Sequence, residues 1–294
     1  MIEKRKTPFL FSSRDADVAE TCLLTLYCHA KESQSKAPIL MDEKAVQIFD
    51  ALRPELETAD SSLLRKLATG KIDQRLVVFV NLRAKRFDQY ACDFLARYPQ
   101  GRVVSLGCGM DTRFLRVDNG QMRFFDVDLP DVIALKQKFF DEDERYNLLG
   151  SSVLDYGWTD KVLEKSSSSP VLFLAEGLFM YLEPERVKEL ALTLQSRFPG
   201  AELVCEVFNK AWLGPMMKKI ASGKMQRRFQ MGKNAEFKFG IAQSDEMEQW
   251  NPGIIFLDEW SYFDSDHPRL GALRWFRNVK LFRYTQWVVH YRLG

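Results

Sequence analysis

The stretch Val104-Ser105-Leu106-Gly107-Cys108-Gly109-Met110-Asp111-Thr112-Arg113 decides the fold. With Arg102 and Val103 it opens as a short apolar run, of the kind a parallel strand buried on both faces requires, and then breaks into glycine. Two glycines at the carboxyl end of such a strand, before a helix, let the backbone approach a ligand that a Cβ would hold off. A Gly-x-Gly alone also reads as a plain tight turn. The third glycine of the dinucleotide fingerprint is missing, since Met110-Asp111-Thr112 fills its place, and this disfavours a pyrophosphate ligand and a nicotinamide dehydrogenase.

Moving outward, residues 122–127 form a second strand-length run whose end reads Phe125-Asp126-Val127-Asp128. An acidic group about 20 residues past the glycines is spaced to accept hydrogen bonds from ribose hydroxyls. The competing reading is a loop or N-cap aspartate before Pro130. Alternation points Asp126 and Asp128 the same way, and Asp128, nearer the crevice, is the preferred carboxylate. Further strands are expected at 146–149, 171–175 and 202–207, with helices at 132–140 and, behind Pro184, at 185–198. Alternating strand and helix predicts a parallel sheet covered on both faces.

The fourth run ends Leu174-Ala175-Glu176-Gly177-Leu178-Phe179-Met180-Tyr181. Burying Glu176 unpaired would be costly, so it needs a cation, either a ligand's ammonium or sulfonium or an internal arginine. Tyr181 reads either as a core aromatic or as a pocket residue, and it is the candidate catalytic side chain. Apolar residues recur at helical spacing over 17–49 and 61–98, with the stripe Val77, Val80, Ala84 and Phe87. Arg83 within that region reads, on physics alone, as a solvated charge. After Val207 the rhythm breaks: residues 209–250 read as a polar, helix-prone insertion carrying the basic cluster Lys224, Arg227, Arg228 and Lys233. Two last strands are expected at 253–263 and 285–292, with a helical segment over 269–279 between them. Ser166 to Ser169 form a flexible surface linker. The division is one domain over 1–294: a helical cap (1–98), a ligand-binding core (99–208), a lid insertion (209–250) and C-terminal strands (251–294).

Composition narrows the function. At 294 residues and 46% hydrophobic content the chain can bury a large core. Forty-two basic against forty acidic side chains leave +2, no field with which to gather nucleic acid or an anionic membrane, so a small molecule is the expected partner. Five scattered cysteines and three isolated histidines match neither a disulfide framework nor a metal site. The N-terminus, Met1 to Pro8, has no apolar signal segment and no run approaches the ~20 apolar residues that span a bilayer, so a cytoplasmic protein is expected.

Taken in order, the glycine stretch, Phe125-Asp126-Val127-Asp128-Leu129-Pro130, and Ala175-Glu176-Gly177-Leu178-Phe179-Met180-Tyr181-Leu182-Glu183-Pro184-Glu185 closely resemble the leucine carboxyl methyltransferase family, nearest its bacterial tetracenomycin-type polyketide O-methyltransferase branch. The resemblance implies a class I methyltransferase fold, a doubly wound α/β sheet of seven strands with the last antiparallel, and S-adenosylmethionine as cofactor. It implies that Arg83 holds the cofactor's carboxylate, Gly107 and Gly109 cradle it, Asp128 binds the ribose and Glu176 meets the methionine portion. Where the family carries an Asp-Leu pair against the adenine, this chain has Ser152-Val153, with Asp155 nearby as a substitute. A cofactor-contacting lysine of the eukaryotic branch has no counterpart in Val18-Ala19-Glu20-Thr21. The implied activity is O-methylation of a carboxylate or hydroxyl of a small molecule; the alternatives are a protein C-terminal carboxyl methyltransferase and a non-catalytic nucleotide-binding module. A sulfonium is already an activated electrophile, so alignment in a dry pocket does most of the work. A carboxylate acceptor is ionised at neutral pH, whereas a phenol needs a base. The N-terminal helices and the insertion are expected to close over the acceptor.

Overall fold

A computed structural model describes residues 16–164, 169–214 and 237–294. The basic cluster Lys224, Arg227, Arg228 and Lys233, Ser166 to Ser168 of the serine linker, and Met1 to Pro8 lie outside the described residues.

All seven expected strands form one sheet: β1 Arg102–Leu106, β2 Arg123–Asp128, β3 Tyr146–Gly150, β4 Val171–Ala175, β5 Ala201–Phe208, β6 Ile254–Ser261 and β7 Gln286–Leu293, in the order β3-β2-β1-β4-β5-β7-β6. The pairs among β1 to β5 are parallel. The last strand, β7, runs antiparallel between β5 and β6. Chain order reverses between β1 and β4, so their carboxyl ends frame the crevice in which open α/β sheets bind ligands.

Strand alternation sorts the core. Val103, Phe124, Leu172 and Val204 face one hydrophobic cluster; Val104, Phe125, Phe173 and Leu203 face the other. The first is covered by the N-terminal helices α1 Ala16–Ser33, α2 Glu43–Glu57, α3 Ser62–Ala68 and α4 Gln74–Arg97. The α4 stripe Val77, Val80, Phe87, Ala91 and Phe94 packs there, which makes these helices one wall of the same core. The opposite cluster takes Val187, Leu190, Ala191 and Leu194 of the helix Pro184–Arg197, begun by its proline as the sequence predicts. The short helix α5, Arg113–Val117, follows the glycine turn, and α6, Pro130–Lys136, follows β2.

Two expectations need correction. Helix α6 starts and ends earlier than 132–140, because Pro130 sets its first turn and the helix stops at Lys136. Segment 269–279 is not one helix. It is a run of 3₁₀ turns, Pro268–Asn278, broken at Gly271 (φ 51°), with a short helix Lys280–Arg283 after it. Only glycine takes that left-handed backbone freely, so apolar periodicity is overridden there. The described ends of the 209–250 insertion are 3₁₀ turns at Lys210–Leu213 and Glu246–Trp250.

Candidate active site

Gly107 and Gly109 both hold positive φ, 65° and 51°. A Cβ on Gly109 would stand 2.7 Å from Cys22 Cβ on α1, and one on Gly107 would stand 2.9 Å from the Leu178 side chain beyond β4. The turn is therefore pinched between cap and core at the switch point, and only bare backbone lets Cys22 and Leu178 close on it.

The two candidate carboxylates of β2 separate cleanly. Asp126 is consumed inside the protein, 2.7 Å from Lys136 Nζ and 2.6 Å from the Tyr146 hydroxyl. Asp128 accepts the Gly109 N–H at 2.7 Å and the Leu129 N–H at 2.7 Å, and it faces the cavity. Burial pushes the Asp128 carboxyl up from its ordinary range, with the two backbone donors pulling against that rise.

Glu176 finds its cations inside the protein, and there are two: Arg83 Nε at 2.7 Å and Arg113 Nη2 at 2.5 Å. Burial works to raise its pKa, but Arg83 and Arg113 outweigh burial, so the pKa is lowered and the group stays ionised. Arg83 is not the solvated charge that physics alone suggested, its side chain being only 13% exposed. Its Nη1 also donates to Glu206 Oε2 at 3.0 Å. Burial would lower the guanidinium's pKa; Glu206 and Glu176 instead raise it well above the ordinary value. The stripe carried a signal for this, since Arg83 stands three residues after Val80 and four before Phe87, on the face turned inward.

Sequence reasoning missed the rest of this network. Arg113 meets Asp88 (2.7 Å) and Asp111 (2.6 Å) besides Glu176. Arg116 meets Asp88 (2.7 Å), Asp111 (3.0 Å) and Asp42 (2.9 Å). Asp42 also caps α2 by accepting the Ala45 N–H and sits 3.2 Å from His29 Nδ1. Asp111 and Arg113 stood in the opening motif itself, but nothing local says that they meet Asp88 on α4.

Of these groups, Arg83, Asp111, Arg113, Asp128 and Glu176 line one cavity of about 510 Å³, a volume within the ~300–1,000 Å³ of small-molecule sites. Arg83, Gly107, Gly109, Asp128, Glu176 and Tyr181 all border it. Ser152 and Val153 do not. Val153 is buried in the core beneath β3, its carbonyl accepting the Trp158 Nε1–H at 3.2 Å, while Ser152 Oγ accepts the Leu154 N–H in its own turn and Asp155 is exposed. Tyr181 packs edge-on to Phe237 at 5.4 Å, and burial, opposed by Arg83, pushes its phenol up to about 12, far too weak an acid to ionise at neutral pH.

The far end of the cavity has a different chemistry. Phe79 of α4 meets Tyr262 at 5.5 Å and Phe263 at 6.2 Å, both edge-on. Phe276, against Phe263 (5.8 Å) and Phe282 (4.7 Å), completes an aromatic wall. The segment between β6 and β7 supplies most of that wall. Of the insertion expected to do so, Phe237 is the part that borders the cavity among the described residues. Among the described residues no group of three His, Cys, Asp or Glu could hold a metal ion, and no helix is long and apolar enough to cross a membrane.

The leucine carboxyl methyltransferase family profile matches residues 23–195, which covers most of the cap, the glycine turn, Asp128, Glu176 and Tyr181. The chain belongs to the leucine carboxyl methyltransferase family. A family relative, the tetracenomycin polyketide synthesis O-methyltransferase TcmP of Streptomyces glaucescens, is 32% identical over 84% of this chain and 84% of its own. The S-adenosyl-L-methionine-dependent methyltransferase dpfgK of Gibberella zeae is 28% identical over 91% of this chain and 89% of its own. Two solved structures share the fold at a TM-score of 0.55. One, from Thermobifida fusca YX and described as a candidate methyltransferase, covers 83% of this chain and 92% of its own at 17% identity. The other, a duf574 family protein from Streptomyces avermitilis, covers 91% and 96% at 13% identity. The seven-stranded sheet with its antiparallel last strand is thus the class I methyltransferase fold.

Proposed function

We propose that this member of the family transfers the methyl group of S-adenosylmethionine to an oxygen of a small, ring-bearing molecule. One observation carries the reading: a single cavity joins a polar end, built at the switch point from Gly107, Gly109, Asp128, Arg83 and Glu176, to an aromatic end built from Phe79, Phe263 and Phe276. The relatives' S-adenosylmethionine dependence and the O-methyltransferase name of TcmP support it.

The residues fit that cofactor. Gly107 and Gly109 border the cavity with backbone alone, and Asp128, facing the same cavity, offers carboxylate lone pairs to ribose hydroxyls. Arg83 would bind the cofactor's carboxylate, which requires it to release or share one of its two internal partners. When bound, the cofactor supplies a methyl group on positively charged sulfur. The protein's part is to align the acceptor oxygen and exclude water, for which the aromatic wall is suited. Tyr181, neutral and bordering the same cavity, would help to orient the acceptor.

Titration calorimetry against S-adenosylhomocysteine and NADH tests the cofactor, and transfer of a labelled methyl to aromatic acceptors tests the reaction. Heat from NADH alone would overturn the reading. A second reading is methylation of a protein's C-terminal carboxylate, for which the family description supplies only the carboxyl acceptor. Label appearing on C-terminal peptides and on no small molecule would favour it.

A further inference from the structure

We infer that the segment between β6 and β7 docks on an anionic lipid surface, with Trp275 as its apolar anchor and Arg274 and Lys280 as its charge contacts. The docking does not depend on the methyl-transfer reading.

The chain's overall charge of +2 conceals a local asymmetry. From His267 to Gly294 there is no Asp or Glu, while residues 269–283 carry Arg269, Arg274, Arg277, Lys280 and Arg283. Carboxylates from elsewhere neutralise three of these. Arg269 pairs with Glu32, Arg277 with Asp266 at 2.9 Å, and Arg283 with Asp264 at 2.9 Å and Glu259 at 3.4 Å. Arg274 donates to the Asp266 carbonyl at 3.4 Å, and neither it nor Lys280 forms an ion pair among the described residues. Two cations remain for a partner.

The same stretch leaves apolar surface bare. Of the nine large hydrophobic side chains exposed among the described residues, four lie within eight positions: Trp275, Val279, Leu281 and Phe282. Trp275 is 80% exposed, whereas Trp158, Trp212, Trp250, Trp260 and Trp287 are buried or half-buried. The cavity does not account for this. Leu273, Phe276 and Phe282 border it, but Trp275, Val279 and Leu281 do not.

Apolar and basic side chains interleaved on one exposed segment match the chemistry of a bilayer interface. There an indole sits at headgroup level, aliphatic groups enter the acyl boundary, and Lys and Arg meet lipid phosphates. A second copy meeting this face with its own would set like charge against like. A nucleic acid would satisfy the cations and offer little to Val279 and Leu281. Docking on lipid satisfies both sets, and it turns the outer side of the cavity's aromatic wall toward the membrane.

The test mixes the full chain with vesicles of phosphatidylcholine alone and of phosphatidylcholine with phosphatidylglycerol, and reads binding by co-sedimentation and tryptophan emission. Binding is expected on the anionic vesicles and little on the neutral ones, with blue-shifted emission and release as salt is raised. Trp275→Ala should weaken binding by roughly tenfold through lost apolar area and remove the blue shift. Arg274→Glu combined with Lys280→Glu should weaken it by roughly 100-fold or more, since four units of charge change at the surface. Thermal melts establish that both variants fold. No binding to anionic vesicles overturns the inference, as does binding that both variants retain, which would put the contact elsewhere on the chain. Self-association lost with Trp275→Ala, without vesicle binding, would give the face to a second copy and overturn it. So would capture of a single-stranded RNA probe in preference to vesicles, lost with the charge reversals. S-adenosylhomocysteine binding, measured on the same samples, reports on the methyl-transfer reading separately.

Discussion

The two ends of the cavity are built on opposite plans. The polar end is held by charge: three buried arginines, Arg83, Arg113 and Arg116, lie among Asp42, Asp88, Asp111, Glu176 and Glu206, from α2, α4, α5 and the strand ends. The aromatic end is held by ring contacts between Phe79 and residues 262–282. Ionic geometry is costly to disturb, because a group left without its partner is a charge in low dielectric; ring packing yields more gradually. The first plan suits a ligand held in one fixed geometry, and the second a ligand whose apolar shape the wall can follow.

The sharpest way to break this contrast is Arg113→Met. It removes one cation from between Asp88, Asp111 and Glu176 and leaves those carboxylates facing one another. Chemical denaturation should show a loss of about 3–5 kcal/mol, the usual consequence of removing one partner of a buried pair. A variant as stable as the parent would mean that the network is not what holds α4 and α5 together.

How much of this was legible in the chain follows the same division. The strands β1 to β5 were readable because each is an apolar run with a turn signal behind it, and the glycine turn because Gly107 and Gly109 end such a run. Choosing between Asp126 and Asp128 was harder, since alternation gives both one side. Lys136 and Tyr146, which claim Asp126, are distant in sequence and carry no mark of it. The aromatic wall was not readable at all. Periodicity says which face of a segment is buried, not which remote segment will lie on it, and at Gly271 the periodicity was itself misleading. The arginine network escaped for the same reason, since Arg113 and Glu176 are 63 residues apart.

The second comparison sets the two β2 carboxylates against each other. Asp128→Ala should weaken S-adenosylhomocysteine binding by about 1.5–3 kcal/mol, the range for a hydrogen bond to a charged group, with little change in melting temperature. Asp126→Ala should do the reverse, because it strands the wholly buried Lys136 ammonium. Calorimetry and thermal melts on the pair read both effects. Binding lost with Asp126→Ala and kept with Asp128→Ala would reverse the assignment.

At the aromatic end, Phe263→Ala should raise the acceptor's dissociation constant by about 1.5 kcal/mol, in proportion to apolar area removed. S-adenosylhomocysteine affinity should not move. If the cofactor weakens equally, the two ends are one site and the contrast dissolves. On the polar side, Arg83→Lys keeps the charge but loses the planar fork, so cofactor binding should weaken by about 1 kcal/mol, and less for an analogue without the carboxylate. Equal losses for the two ligands would point to general damage instead of a lost contact.

The smallest effect is also the one that weighs resemblance against geometry. By family pattern Ser152 and Val153 meet the adenine; in the structure neither borders the cavity, with Val153 packed into the core and the Ser152 hydroxyl closing its own turn onto Leu154. Ser152→Ala removes only that local hydrogen bond on a half-buried loop. If geometry is the better guide, S-adenosylhomocysteine affinity should change by no more than about 0.5 kcal/mol, as for substitutions away from any special feature. A loss of more than about 1 kcal/mol, at unchanged melting temperature, would mean that the loop after β3 swings to the cofactor on binding. Val153→Thr then separates the two cases further. It places a hydroxyl in the apolar cluster, so it should lower the melting temperature if Val153 stays in the core. A Val153 that leaves the core on binding would show the change in the affinity as well.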